Sequence, residues 1–417
     1  MLTELDTLGL ETEGLRLWQA LRRVGEWHAD PPDGAAPAPD GRPRAFDDVD
    51  PGLRTGLAAL DRLLRDPAPD DATLEAVAVA CFHAATWAEE RGAYRTALGF
   101  LHAAEDVYPE NPHYAYNVGR VARKLALYED AEAWLKWAHF VARTHRRWDV
   151  ATLALSGLGN LHRQRGNLPR ARRLHEAARR MARLKHLRTL EGDALYDLCV
   201  ISLSAGDETK ALDFARQAMA AYGPGHSQIH KLANDVAWFW MDSFGKFSSA
   251  LHVFTVLLDY IWEPPFRVLL FANLARAAAG ARSIGPFEAM WAECWAAFRT
   301  QASRQGHAAA LVQLALGAGT LGYWERSAIA AREALQVARE RREPEAVLVA
   351  EGILKAVEGG ILVDDQLEPA FKDRFRTGHQ QLDEAAADIA AQFANAMRAR
   401  RDSAPESPTR ALIHQNA

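Results

Sequence analysis

Apolar residues recur along most of the chain at the three- and four-residue spacing that one face of an α-helix requires. Ala97, Leu101 and Ala104 follow this spacing, and Leu135 and Ala138 follow it again further along. Alternating Val, Ile and Thr, which would indicate strands, are scarce. The pattern therefore predicts an all-α protein.

A six-residue motif recurs between these helical segments: a glycine, any residue, a bulky residue, two further residues and a small residue. Clear copies begin at Gly92, Gly166, Gly206 and Gly245, and weaker copies begin at Ala126, Gly285 and Gly322. The first positions are separated by 34, 40, 40, 39, 40 and 37 residues. Repetition at such intervals indicates stacked supersecondary units, because each unit buries its apolar face against its neighbours.

The residue types of the motif explain its place between two helices. Glycine ends the first helix at low steric cost because it tolerates a positive φ. The bulky residue fills the corner between the helices, and the small residue begins the second helix where two backbones approach closely. The motif therefore predicts a turn between two antiparallel helices.

With these features, the units resemble tetratricopeptide repeats over residues 73–343. A Leu-Gly pair at Leu158 and Gly159 lies seven residues before the third turn, and a proline, Pro109, follows the first unit's second helix. Most repeats are nearer 40 than the usual 34 residues, as in kinesin-light-chain-like and bacterial peptide-sensing relatives. The last three copies carry Trp238, Ala278 and Ala315 at the family's glycine. The resemblance implies an α-solenoid of antiparallel helix pairs in a right-handed superhelix.

The ends of the chain differ from this array. Residues 1–72 contain two helical patterns, 2–28 and 53–64, separated by a Pro/Gly-rich linker at about 29–51. About seven repeat units are expected in 73–343. Residues 344–400 are expected to form a C-terminal repeat or capping helices, with helical patterns at 347–361 and 380–400, and 401–417 to form a disordered tail.

Composition and charge narrow the class of protein. The chain has 417 residues and a net charge of −5. Residues 120–188 contain 17 Lys or Arg and five acidic residues, a net charge of +12, so the remainder carries −17. No apolar run approaches the length of about 20 residues that spans a bilayer. The N-terminus does not resemble a secretory signal, and three widely spaced cysteines suit a reducing compartment. We therefore expect a cytoplasmic protein without a membrane partner.

The resemblance implies that the first helix of each pair lines a concave groove. Counting back from each turn predicts a groove that is basic in units two and three and acidic in units four and five. Asn160 stands where carboxylate-clamp repeats carry an asparagine, with basic residues beside it. The predicted partner-binding residues are Tyr116, Arg120, Arg123, Lys124, Asn160, Arg163, Tyr196, Asp235 and Phe239.

Three functions remain open at this point. The first is a scaffold or adaptor whose groove binds a protein or peptide with an acidic segment. The second is a peptide-sensing regulator without a DNA-binding domain, because residues 1–72 do not match a compact DNA reader. The third is binding of nucleic acid or an acidic partner through residues 120–188. The sequence does not indicate an oligomeric state.

The catalytic and cofactor motifs that the sequence matches do not support assigning an enzymatic activity or a cofactor. The GxGxxG match from Gly317 to Gly322 lacks the surrounding βαβ unit and falls on a repeat turn. His226 and His230 lack a third metal ligand. We therefore predict a protein that is not an enzyme, with no cofactor and no metal site.

Overall fold

The computed structural model describes residues 2–29, 46, 48–65, 69–260, 264–300, 306–341, 343–360 and 388–396. All regular secondary structure within these ranges is helical, as the apolar spacing predicts. None of the described helices is long and apolar enough to span a bilayer. The chain divides into two compact units, Met1–Ile201 and Ser202–Ala417.

Unit 1 begins with three helices that precede the repeat pairs. Its helices are α1 (Leu2–Thr7), α2 (Glu11–Ala29), α3 (Pro51–Leu63), α4 (Asp71–Glu90), α5 (Tyr94–Val107), α6 (Pro112–Lys124), α7 (Tyr128–Thr144), α8 (Trp148–Gln164) and α9 (Leu168–Leu184). The division between the units falls inside α10 (Arg188–Ser204). The pairs α4–α5, α6–α7 and α8–α9 pack closely, and α6 also contacts α8. Successive pairs therefore stack as an α-solenoid.

Unit 2 is built in the same way. Its helices are α11 (Glu208–Tyr222), α12 (Ile229–Asp242), α13 (Phe247–Leu257), α14 (Pro264–Gly280), α15 (Ile284–Thr300), α16 (His307–Thr320), α17 (Trp324–Arg341), α18 (Pro344–Glu358) and α19 (388–396). The first helices α14 and α16 contact each other, and each also packs against its own second helix. The part of the chain that resembles tetratricopeptide repeats is therefore helical in both units.

The interval of 40 residues has a simple structural origin. Helices α7, α8, α9 and α10 each contain 17 residues. Three-residue turns join them. The turns between pairs have the same form as the turns within pairs, since Arg146 and His186 adopt positive φ angles of 57° and 56° there. Two helices and two turns thus make one repeat.

The motif glycines adopt the left-handed conformation that the sequence predicts, with φ of 78° at Gly92 and 74° at Gly166. Ala126 takes the same conformation without being glycine, at φ 59°. The predicted start of the sixth copy at Gly285 is wrong by three residues, because Gly285 lies inside α15. The turn residue is Arg282, at φ 57°. A non-glycine residue in this conformation gives no signal in the sequence pattern.

The small residue of the motif is fully buried, as expected for a close approach between helices. Ala97, Ala131, Ala171, Ala211 and Ala250 all have no exposed surface. The glycine near the end of a first helix is packed just as tightly. A Cβ on the first-helix glycine of the second pair, Gly119, would lie 2.7 Å from Leu135 Cγ. These small residues let the two helices of a pair lie close together.

The N-terminal segment is two helices, whereas the pattern over 2–28 predicts one. Gly9, at φ 71°, ends α1 in a left-handed turn before α2 begins. Helix α1 then packs against α5. The Glu4 carboxylate accepts hydrogen bonds from the backbone N–H groups of Arg95 and Thr96 at 2.9 and 2.8 Å. Glu4 thereby satisfies free donors at the start of α5.

The C-terminal region is described in two parts. Helix α18 occupies much of the predicted pattern at 347–361, and α19 lies within the pattern at 380–400. Helix α19 buries Phe393 completely. Its Ala396 carbonyl accepts a hydrogen bond from Gly225 N at 2.9 Å, which places α19 beside the loop that follows α11. Most of the predicted linker and the predicted tail lie outside the described residues.

Candidate binding face of unit 1

Seven of the predicted partner-binding residues lie on first helices of unit 1, and two lie on a first helix of unit 2. Helix α6 carries Tyr116, Arg120, Arg123 and Lys124, helix α8 carries Asn160 and Arg163, and helix α10 carries Tyr196. Helix α12 of unit 2 carries Asp235 and Phe239. The residues of unit 1 form a candidate binding face, which we call the α6–α8–α10 face.

Two of the predicted basic residues on this face pair with one acid from the preceding first helix. Glu89 of α4 binds Arg120 through both guanidinium Nη atoms, with Nη2 at 2.6 Å from Oε2. Lys124 Nζ lies 2.6 Å from Glu89 Oε1. Burial would raise the pKa of Glu89, but hydrogen bonds from Arg120 and Lys124 outweigh it and lower the pKa to about 2. Arg120 and Lys124 therefore share one carboxylate, which pairs both side chains and leaves the group of three with one net positive charge.

Arg120 is also held by its own helix. Its Nε donates a hydrogen bond to Asn117 Oδ1 at 3.0 Å, and Asn117 Nδ2 donates to the His113 carbonyl at 2.7 Å. Lys124 Nζ lies 5.0 Å from the centre of the Tyr94 ring, a cation–π contact. Both side chains are thus fixed at one end of the face.

Arg123 and Arg163 differ from this pair. Neither forms an ion pair among the described residues, although each lies close enough to Asp197 to lower the pKa of its carboxyl. The Nε of Arg123 is buried and has no hydrogen-bond partner. Burial lowers the pKa of Arg123, and the nearby Arg163 lowers it further. Two half-buried guanidinium groups therefore share one region without a carboxylate in contact.

Asn160 and Asp197 connect α8 to α10 at this position. Arg163 Nε donates to Asn160 Oδ1 at 3.4 Å, and Asn160 Nδ2 donates to Asp197 Oδ2 at 3.5 Å, so both hydrogen bonds are long. The Asp197 side chain is 23% exposed. Burial raises its pKa to about 7, against the opposing effect of Arg163, Asn160 and Arg123.

A buried histidine lies behind Asp197. His175 of α9 is fully buried, and its Nδ1 lies 3.2 Å from Asp197 Oδ2 without hydrogen-bond geometry. Burial and the charge of Arg163 lower the pKa of His175 to about 3. The ring fills the space over Gly159, where a Cβ would lie 2.3 Å from His175 Nε2. The glycine of the Leu-Gly pair thus makes room for this imidazole.

The two tyrosines of the face lie on α6 and α10. Tyr116 packs against the alanine clusters between α6, α7 and α8. Burial raises its pKa. Tyr196 is half-buried on α10. The charged and amide groups described on this face are those of the arginines, Asn160 and Asp197.

The two residues predicted in unit 2, Asp235 and Phe239, contact their own neighbours on α12. Asp235 accepts a hydrogen bond from Asn234 Nδ2 at 3.3 Å, and Phe239 packs edge-on to Trp238 with ring centres 5.2 Å apart. The predicted acidic character of this region is reduced by Arg276, whose Nη1 lies 2.8 Å from Asp242 Oδ1. Acidic and basic side chains of neighbouring first helices thus pair in both units.

Metal and thiol chemistry find little support in the geometry. In the ranges that the structure covers, no group of three or more His, Cys, Asp or Glu side chains is placed to hold a metal ion. Cys81, Cys199 and Cys294 are all buried. Burial raises the pKa of Cys81 to about 12 and raises that of Cys294 as well, so these thiols are poor nucleophiles. Residues 311–316 lie within α16 and do not form the strand that dinucleotide binding requires.

Comparisons with known proteins returned distant solved structures and no family. No protein-family model matches the chain, and no curated protein matches it. Among solved structures, a tetratricopeptide repeat protein from Parabacteroides merdae is 13% identical, with a TM-score of 0.44, and covers 67% of this chain and 98% of its own. BtubC (BKLC) from P. vanneervenii is 18% identical, with a TM-score of 0.39, covering 55% and 94% respectively. The TPR2AB-domain:pHSP90 complex of yeast Sti1 is 13% identical, with a TM-score of 0.26, covering 68% and 98%. Likenesses of this size do not extend to a partner or an activity.

Three residues that shape the face were not among the predicted set: Glu89, His175 and Asp197. Glu89 lies three residues before its turn residue, at the place that Arg123 and Arg163 hold in the next two repeats. This equivalence does not reveal the pairing, because the residues that Glu89 binds, Arg120 and Lys124, stand at other places of their repeat. The local sequence around His175 is likewise dominated by arginines and gives no sign of a buried imidazole.

Proposed function

We propose that this chain is a protein-binding scaffold that holds an acidic segment of a partner on the α6–α8–α10 face of unit 1. The observation that carries the proposal is the state of Arg123 and Arg163. They lie near one another without an ion pair among the described residues, and a buried N–H of Arg123 has no acceptor. A buried donor without an acceptor is costly, and the other N–H groups of the two arginines would donate to a ligand carboxylate.

The electrostatic surroundings favour such a carboxylate. A guanidinium group presents a planar set of donors that matches a carboxylate, and partial burial strengthens the interaction. The competing acid is Asp197, whose pKa is raised to about 7. Near neutral pH, Asp197 is therefore partly protonated and competes only weakly for the two arginines.

The arrangement of helices suits an extended partner better than a compact small molecule. First helices α6 and α8 contact each other, so their outward side chains form a continuous row. Asn160 has both an amide donor and an acceptor in long hydrogen bonds of 3.4 and 3.5 Å. Such bonds exchange readily for shorter ones with a peptide backbone.

The proposal is tested by fluorescence anisotropy with short labelled peptides that are rich in Glu and end in a free carboxylate. Matched peptides carry Gln in place of Glu and an amidated C-terminus. We expect the acidic peptides to bind more tightly, and Arg123→Gln and Arg163→Gln each to weaken binding by about tenfold, since a charge-assisted hydrogen bond contributes about 1.5 to 3 kcal/mol.

The control variant is Arg332→Gln, because Arg332 is exposed on α17 of unit 2. It should leave the affinity unchanged. Equal binding of the acidic and the neutral peptides would refute the proposal, as would full affinity in the Arg123→Gln and Arg163→Gln variants. Tighter binding of a single-stranded oligonucleotide would assign the face to nucleic acid instead.

A further inference from the structure

A second surface of unit 1 combines exposed apolar side chains with unpaired arginines. It lies on the second helices and consists of Trp137, Phe140 and Arg143 of α7 and Arg180, Arg183 and Leu184 of α9. We call it the α7–α9 patch. It is distinct from the α6–α8–α10 face, which belongs to the first helices.

The two helices of the patch are neighbours in a parallel register. Near their N-terminal ends, Arg170 of α9 lies 3.5 Å from Glu132 of α7. Towards their C-terminal ends, Met181 of α9 packs against the cluster that contains Ala142 of α7. These two contacts place the C-terminal halves of α7 and α9 side by side, with Phe140 and Arg143 level with Arg180 and Arg183.

The apolar part of the patch is unusually open. Phe140 is 61% exposed, Leu184 is 76% exposed and Trp137 is 45% exposed. The Trp137 and Phe140 rings stack with their centres 5.7 Å apart. Covering an apolar side chain stabilises a complex by about 25 cal/mol for each Å² removed from water. Clustered exposure of this kind is typical of an interaction site.

The charged part of the patch has a single sign. Arg143, Arg180 and Arg183 form no ion pair among the described residues, and all three are exposed. Over residues 134–188 there are two acids, Asp149 and Glu176. Asp149 pairs with Arg147 at 2.9 Å, and Glu176 pairs with Arg172 at 3.6 Å. The patch therefore carries three arginines without an ion pair among the described residues, and Glu105 of α5 contacts it at Trp137.

We propose that the α7–α9 patch binds an amphipathic acidic helix of a partner protein. Its apolar side chains would cover Phe140 and Leu184, and its carboxylates would pair with Arg143, Arg180 and Arg183. The arginines favour a partner helix with acidic side chains along its flanks, because opposite charges attract. The exposed side chain of Leu184 favours an apolar face on the same helix.

Two contacts favour a protein helix over nucleic acid. Leu184 is aliphatic and offers no ring on which a base can stack. Trp137 and Phe140 already stack on each other, and Trp137 Nε1 donates to the Glu105 carboxylate at 3.3 Å. Both the ring face and the indole N–H of Trp137 are thus already in contact, which leaves less ring surface for a base to stack on.

The test uses the full chain and a short labelled peptide designed as a helix, with Leu and Phe on one face and Glu on both flanks. A scrambled peptide of the same composition and a single-stranded oligonucleotide are the comparison probes. We expect the helix peptide to bind, and Phe140→Ala/Leu184→Ala to weaken it by about tenfold or more. Arg180→Glu/Arg183→Glu should weaken it similarly and reduce its salt dependence.

Matched controls come from unit 2, where Leu348 is 72% exposed and Arg332 is exposed. Leu348→Ala and Arg332→Glu should leave binding unchanged. All of these positions are at the surface, and far-UV circular dichroism checks that each variant keeps its helical content.

The proposal is overturned if the helix peptide does not bind, if the scrambled peptide binds equally well, or if Phe140→Ala/Leu184→Ala binds like wild type. Preferential binding of the oligonucleotide would make the patch a nucleic-acid surface. Sedimentation that shows self-association, abolished by Leu184→Ala, would make it an interface between copies of this chain.

Discussion

The pairing of Glu89 with Arg120 and Lys124 gives a prediction that can be worked through from the structure. Glu89→Gln keeps the shape of the side chain and removes its charge. The substitution leaves the half-buried Arg120 without its counter-ion and keeps one of the two oxygens that accept its hydrogen bonds. We therefore expect a loss of stability in unit 1 and a gain of free positive charge on its first helices.

The magnitude follows from the pKa of Glu89. Its side chain is 16% exposed, and its pKa is lowered from 4.5 to about 2. A shift of this size contributes about 3 kcal/mol of stability at neutral pH. Because a neutral amide still accepts hydrogen bonds, we expect Glu89→Gln to lower the free energy of unfolding by about 2 to 3 kcal/mol.

The pH dependence has a definite sign. A carboxyl whose pKa is depressed in the folded state stabilises the protein above its unfolded pKa, and this contribution disappears as the pH falls through the folded pKa. The difference between wild type and Glu89→Gln should thus be constant from pH 7 to about 4.5 and should shrink from there towards pH 2.

Urea unfolding followed by circular dichroism measures the difference, and hydrogen exchange of the α4 and α6 amides assigns it to unit 1. The control is Glu90→Gln, because the Glu90 side chain is 69% exposed and its contact with Arg91 is 3.8 Å long. This control should change stability by less than about 0.5 kcal/mol. Equal effects of the two substitutions, or a difference that persists unchanged at pH 3, would refute the reasoning.

Three further predictions follow from local geometry. Gly159→Ala should destabilise unit 1 by about 2 kcal/mol or more, because the Cβ of the new alanine would lie 2.3 Å from His175 Nε2. An unchanged free energy of unfolding in urea would contradict this. Ala126 and Gly166 both have positive φ, which glycine adopts at lower cost than alanine. Ala126→Gly should therefore stabilise the protein by about 0.5 kcal/mol, and Gly166→Ala should destabilise it by about 1 kcal/mol. Melting temperatures that shift in the same direction in the two variants would contradict this. The raised pKa of Asp197 means that the folded protein holds a proton that the unfolded chain has lost, so stability falls as the pH rises from about 4 to about 7. The advantage of Asp197→Asn over wild type should accordingly grow by about 2 kcal/mol between pH 5 and pH 8, and a pH-independent difference would count against a carboxyl whose pKa is raised by burial.

The helical architecture follows from the sequence because its causes are local. Apolar spacing defines the helices, and the glycine of each motif supplies the left-handed residue that ends the first helix of a pair. The sixth copy shows the limit of this argument. Arg282 adopts positive φ with a side chain that does not favour it, so the pattern directs attention to Gly285 instead. The surrounding helices impose the turn, and the motif residue alone does not.

The candidate face is harder to predict because its charge depends on contacts between repeats. Arg120 and Arg123 are three residues apart on one helix and look equivalent in the sequence. The structure separates them, since Glu89 of the preceding first helix reaches Arg120 and Lys124. The burial of His175 over Gly159 likewise depends on how α9 lies against α8. Neither relation is visible in a hydrophobic pattern.

On the α6–α8–α10 face, we propose that Arg163 is available to a partner and that Arg120 is not. The most direct measurement compares Arg163→Gln with Arg120→Gln in the same titration of an acidic peptide, at neutral pH and fixed salt. We expect Arg163→Gln to weaken binding by about tenfold, whereas Arg120→Gln, which removes a guanidinium already paired with Glu89, should change binding by less than about twofold. Equal losses in the two variants, or a larger loss for Arg120→Gln, would contradict it.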